Sequence, residues 1–225
     1  MSVRKAPEKK SVWEGMSVKD RQAKGYFLSE ELSDADHSRV RYMKGRVVVP
    51  SGSELHFPVL QGVEGNLYVY RGATLEAPAL QKVGGYLSVD KGVTLEAPAL
   101  QRVEKYLSVN GGTTLDAPAL QRVGQNLYVD EGVILDAPVL QSVGGDLVVE
   151  IGAFLNLPAL QKIGGNLEVR KGASLNASAL QSVGIDLIVY LGAFLNTPAL
   201  GYMFNKKAGT AKKARTERKP GNPKM

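Results

Sequence analysis

The chain has 225 residues, no cysteine and a net charge of +6. The lack of cysteine excludes a disulfide framework and a thiolate metal site, an apolar share of 44% excludes wholesale disorder, and no run approaches the ~20 apolar residues of a membrane span. The charge is unevenly divided: residues 1–44 carry +3, residues 45–200 carry −4 and residues 201–225 carry +7, so affinity for polyanions would belong to the ends.

Residues 1–16 are polar and basic, and are predicted to be disordered. The charged start has no apolar core behind it, unlike a signal peptide, so the cytoplasm is the expected location. Residues 17–44 read as a cap. Ser17-Val-Lys-Asp20 is a weak capping-box pattern, and Tyr26, Phe27, Leu28, Leu32, Val40, Tyr42 and Met43 supply apolar cover. A short helix or irregular segment is expected there.

Residues 45–204 read as a repeat domain. Gly45 to Gly52 is a degenerate first coil. A 20-residue unit then returns in one phase, starting at Leu55, Leu75, Leu95, Leu115, Leu135, Leu155 and Leu175, with an eighth opening at Leu195. Repetition at this period marks a solenoid, in which each coil contacts only its neighbours. Within a unit the Leu-x-Val pair alternates with period two, as in Leu67/Val69 and Leu107/Val109, which predicts a short strand with Leu and Val inward. The Leu-Gln-x-Val stretch follows a Pro too closely for a helix, so a turn of 3₁₀ or extended chain is expected. The fold class is all-β: a single-stacked β-solenoid of about eight coils, roughly 35–40 Å long at ~4.8 Å per strand.

Gly52, Gly72, Gly92, Gly112, Gly132, Gly152, Gly172 and Gly192 share one phase without exception, which predicts a corner with φ > 0. The Gly-Gly after the Val column is replaced by Glu104-Lys105 and by Gln125, so this turn reads as less demanding. Gly132→Val is accordingly expected to cost more than Gly144→Ser. Pro58 to Pro158 mark another corner, relaxed at Ser178. The Gln column, Gln61 to Gln181, is expected to stack as an amide ladder. At the far end Tyr202, Met203 and Phe204 are expected to cover the last coil.

The order Leu-x-x-Val-Gly-Gly-x-Leu-x-Val-x-x-Gly-x-x-Leu resembles the leucine-rich-repeat superfamily, most of all the coils of receptor L domains and their bacterial relatives. The resemblance spans residues 45–200. Gly stands where such repeats place Asn, and 20 residues leave no room for a convex helix. It implies a compact β-solenoid used for recognition or scaffolding.

Function is therefore sought on surfaces. Tyr68, Tyr70, Tyr86, Tyr106 and Tyr128 lie at outward strand positions of the first four coils. They read as a face for a protein partner, because Tyr offers large contact area with a polar tip; strand propensity alone is the competing account. Later coils drift apolar, and Phe154, Ile188, Leu191 and Phe194 read as a self-association surface or as one covered by a terminal segment. Glu76, Glu96, Asp116 and Asp136 stack in one column and read as solvated charge rather than a metal site. His37 and His56 have no metal-ligand spacing, and no catalytic motif occurs. The expected function is a non-catalytic binding or scaffold module without cofactor. The alternative is a nucleic-acid-associated protein anchored by its disordered basic tail, residues 205–225, through Lys206, Lys207, Lys212, Lys213, Arg215, Arg218 and Lys219.

Overall fold

The computed structural model of the chain describes residues 17–24, 26–28 and 37–200. From residue 42 to residue 196 the chain winds as a parallel β-solenoid whose coils each carry three short strands, one on each of three faces. The Leu-Val face is an eight-stranded sheet running from Val47–Val49 to Leu187–Val189. The Leu face holds Glu54–His56, Thr74–Glu76 and their successors to Phe194–Asn196. The Val face is built of two-residue strands from Gly62–Val63 to Ser182–Val183. From Tyr42 onward strands of neighbouring coils pair in parallel with the residue 20 positions on, as in Leu107↔Leu127 and Val103↔Val123, apart from one break on the Leu face. The Leu-Gln-x-Val stretch thus takes its extended alternative, and the single-Leu segment is a strand too.

Strict 20-residue register stacks like side chain on like. Leu75, Leu80, Val83, Leu87 and Val89 of one coil are all buried, and their counterparts continue the core to Leu180. A coil buries its apolar side chains only against the coils on either side, which is why the unit has no stability alone.

The N-terminal end is capped on its Val face. Ser17 caps a six-residue helix, α1 (Val18–Ala23), its Oγ accepting from the Asp20 N–H at 3.1 Å and donating to the Asp20 carboxylate at 2.7 Å. The strand Tyr26–Leu28 pairs with Tyr42–Lys44, which pairs with Gly62–Val63, so the cap extends the Val face to nine strands. Val40, Met43 and Phe57 are buried, with the His37 ring stacked 4.3 Å from that of Phe57.

Three corners turn each coil. The invariant glycines bear out the left-handed expectation, with φ of 67–82° from Gly52 to Gly192. At the Pro corner Leu80 N–H donates to Ala77 C=O at 3.0 Å, closing a turn with Pro78 at its second position. Ser178 occupies the same turn, closed by Leu180 N–H to Ala177 C=O at 3.0 Å.

The Gly-Gly corner is not permissive, and the sequence expectation is corrected here. A Cβ on Gly144 would overlap the carbonyl oxygen of Gly124 in the coil before. A Cβ on Gly85, Gly145 or Gly165 would overlap the side-chain oxygen of Asn66, Asn126 or Asp146 respectively. Those oxygens accept backbone N–H groups of the next coil: Asn66 from Tyr86 at 2.9 Å, Asn126 from Asp146 at 3.0 Å and Asp146 from Asn166 at 2.7 Å. Where the preceding coil has Tyr86 or Tyr106 instead, the glycine gives way to Lys105 or Gln125. The variation records a coupling between coils, with Ile185 after Asn166 as the exception on the last coil.

The amide ladder also lies elsewhere than expected. Glutamines join coils through their backbone, Gln81 N–H to Gln61 C=O at 2.9 Å. Side-chain amides stack in the column after the Leu: Asn196 donates to Asn176 at 2.8 Å, Asn176 to Asn156 at 2.8 Å, and Asn156 to Asp136 at 3.0 Å.

The Leu face is split into two four-stranded sheets, because Thr114–Asp116 does not pair with Ile134–Asp136. Thr113 stands where the other coils from residue 73 onward place Ala or Val, such as Val93 and Val133. Its hydroxyl donates to Asp90 C=O at 2.9 Å, an added tie to the coil before at the corner where pairing with the coil after is lost. Leu115 is left only half-buried. Thr113→Val should close this seam. The check is hydrogen exchange at Ile134 N–H, whose counterpart Phe154 N–H donates to Val133 C=O at 2.8 Å. Slower exchange is expected, and an unchanged rate would remove Thr113 as the cause.

Candidate binding face

Outward side chains of the Leu-Val face form three columns. The middle one runs Val48, Tyr68, Ser88, Ser108, Tyr128, Val148, Glu168, Ile188 in strict register. On its flanks stand Asn66, Tyr86, Tyr106 and Asn126 on one side, and Tyr70, Asp90, Asn110 and Asp130 on the other.

The structure divides the five predicted tyrosines into three groups. Tyr68 and Tyr70 lie 6.4 Å apart between ring centroids. Arg46 holds both, its guanidinium 4.8 Å over the Tyr68 ring and its Nη2 donating to the Tyr70 hydroxyl at 2.9 Å. Tyr86 and Tyr106 meet edge to face at 4.9 Å, with Lys105 Nζ 5.4 Å over the Tyr86 ring. Tyr128 stands apart and donates to Glu150 Oε1 at 2.9 Å.

Ser88 and Ser108 are short, so the face dips between Tyr68 and Tyr128. Three strand steps separate those two rings, about 14 Å at ~4.8 Å per strand. The depression has the Tyr86–Tyr106 pair on one side and Asp90 and Asn110 on the other. Asn110 Nδ2 approaches Asp90 Oδ1 at 3.5 Å, and Ser108 Oγ approaches Asn110 Oδ1 at 3.4 Å. These long contacts leave hydroxyl, amide and carboxylate capacity for an incoming polar group. Arg46 and Lys105 were missed at the sequence level. The 20-residue phase was the available signal, because it sets Arg46 beside Asn66 and Lys105 next to the Tyr86 ring.

Beyond Tyr128 the face is self-paired. Glu150 is 8% exposed and bonded to both Tyr128 and Arg170, the latter at 3.3 Å. Arg170 also bonds Glu168 at 3.0 Å. Burial, followed by the Glu150 carboxylate, raises the Tyr128 phenol above its usual pKa of 10.0. The neutral phenol is thus favoured in the folded state, so its contribution is complete below pH 10 and is lost as pH rises through the raised folded value. Glu150→Gln should bring Tyr128 ionisation to lower pH. Tyrosinate absorbance followed against pH, with Tyr128→Phe as the subtraction, measures this; an unmoved titration would remove Glu150 as a cause.

The apolar residues predicted for self-association are also separated. Phe154 stacks in register on Ile134, and Ser174 stands between Phe154 and Phe194. Ile188 and Leu191 lie on the last coil with Phe194. The basic residues Lys206 to Lys219, and Tyr202, Met203 and Phe204, lie outside the described residues. Among the described residues, no three His, Asp or Glu side chains gather to hold a metal ion, and no helix is long and apolar enough to cross a membrane. A hollow of about 560 Å³ at the N-terminal end is lined by Lys24, Ser38, Arg39, Arg41, Tyr42 and Gln61 among others.

No family model matches the chain, no curated protein matches its sequence, and no solved structure matches its fold.

Proposed function

We propose that the protein is a non-catalytic recognition or scaffold module that holds a protein partner on its Leu-Val face. The observation that carries this reading is the depression over Ser88 and Ser108, walled by the Tyr86–Tyr106 pair at 4.9 Å and by Tyr68 and Tyr128. Rigid aromatics around a polar floor give contact area at small ordering cost, and the stacked backbone fixes their spacing. The leucine-rich-repeat resemblance favours the same reading by analogy. The cytoplasm is the proposed setting.

A second reading rests on charge. Residues 201–225 carry eight basic side chains and one acidic one, so a nucleic acid is the alternative partner, with the solenoid as carrier. Capture from host lysate with the full chain and with a version ending at Asn205 separates the two. A discrete protein retained by both forms after nuclease treatment supports the face. Material that disappears with nuclease and with the shortened form supports the tail.

A further inference from the structure

The two ends of the solenoid are built differently. At the first coil of the Leu-Val face the inward Val47 and Val49 are 3% and 0% exposed, under the cap. At the last coil the equivalent Leu187 and Val189 are only half-buried, as are Val183, Leu195 and Leu200. Among the described residues, the sheets of all three faces end there on strands with one unpaired edge: Leu187–Val189, Phe194–Asn196 and Ser182–Val183. Edges of this kind are commonly guarded by charge. Here the guard is missing: residues 181–200 contain one charged side chain, Asp186, whereas each of the six coils from 61 to 180 has two to four. In its place stand Ile185 at 67% exposure and Leu191 at 92%.

We infer that this end is the contact surface for a second copy of the chain, set last coil against last coil about a two-fold axis through Ile188. The open edge of the Leu-Val face, ending a core of half-exposed Leu and Val, is matched by the same edge of a second copy, and the axis turns the Leu-face edge of each copy toward the Val-face edge of the other. At the other end Val47–Val49 and Glu54–His56 also end their sheets, but the inward Val47 and Val49 are already buried, so a head-to-tail contact gains less and the symmetric one closes as a dimer. The sequence fits this register. An antiparallel pairing of the two edge strands centred on Ile188 sets Leu187 against Val189, Ile185 against Leu191, and Asp186 against Tyr190 of the other copy. Both exposed aliphatics are thereby covered by each other, the lone charge meets no like charge, and inward side chains stay inward. The two cores become one. This surface is distinct from the Tyr-walled depression, so the inference stands or falls independently of the proposed partner.

Sedimentation of the full chain at micromolar concentration tests it. A dimer is expected, and Ile185→Lys with Leu191→Lys should weaken it at least ~100-fold, because four ammonium groups would then crowd one interface. Both positions are exposed, so the thermal midpoint of the monomer should hold. The cysteine-free chain permits a geometric check: Ile188→Cys should give a disulfide-linked dimer on oxidation, since the paired positions meet across the axis. A monomeric full chain overturns the inference, and if removal of residues 201–225 then produces dimers, that segment is the occupant instead. A dimer indifferent to the lysine pair, or one that fails to cross-link through position 188, overturns it as well.

Discussion

Leu107→Ala should lower the unfolding free energy by about 3–5 kcal/mol, and Leu187→Ala by only about 1 kcal/mol, although both remove the same atoms from the same column. Leu107 is fully buried in mid-stack, with coils on both sides that cannot collapse into the cavity. Leu187 belongs to the last coil, is half-buried, and has a neighbour on one side. In a one-dimensional stack a defect in the middle weakens two interfaces and splits the core, whereas a defect at the end frays one coil. Urea unfolding followed by circular dichroism, in the monomeric Ile185→Lys, Leu191→Lys background so that no second copy covers the last coil, measures both. Equal losses would mean that the last coil is packed as firmly as the middle, contrary to the open end described above.

Gly145→Lys alone should destabilise the protein by about 2–3 kcal/mol, because its Cβ enters the space of the Asn126 side chain. Displacing that side chain also breaks its bond from Asp146 N–H at 3.0 Å. With Asn126→Tyr the same lysine should be tolerated. The double variant recreates the natural arrangement of Tyr86 and Lys105, in which the ammonium lies 5.4 Å over the ring. A double-mutant cycle is therefore expected to show a favourable coupling of ~1 kcal/mol or more. Additive losses would mean that the Asx–Gly pairing is incidental. For the same steric reason Gly144→Ser, blocked by a backbone oxygen, should cost about 1–3 kcal/mol. That rivals Gly132→Ala, whose Cβ meets nothing and whose cost, about 1–2 kcal/mol, is conformational alone.

Much of this architecture was legible because period and phase are properties of the sequence. The inward columns, the Leu-Val strand and the φ > 0 glycines follow from which positions never change. Two strands per coil were harder to read, because Thr74–Glu76 and Lys82–Val83 are too short for alternation to show. The Gly-Gly corner misled because variability was taken for tolerance. The second glycine answers to the residue 19 positions earlier and the first to the backbone 20 positions earlier, relations visible only once coils are stacked. The seam at Thr113 turns on one hydroxyl, and the polar set of Tyr128, Glu150 and Arg170 spans three coils, so neither leaves a local pattern. The tyrosines were found by alternation, but their division by Arg46, Lys105 and Glu150 required side-chain geometry.

The most direct test of the recognition face is capture of a nuclease-resistant protein partner by the wild-type chain and by Tyr68→Ser, Tyr86→Ser, Tyr106→Ser combined. These side chains stand outward of a core they do not enter, so the urea midpoint should shift little while capture is lost. Capture undiminished in a folded triple variant would contradict the assignment and move the function off this face.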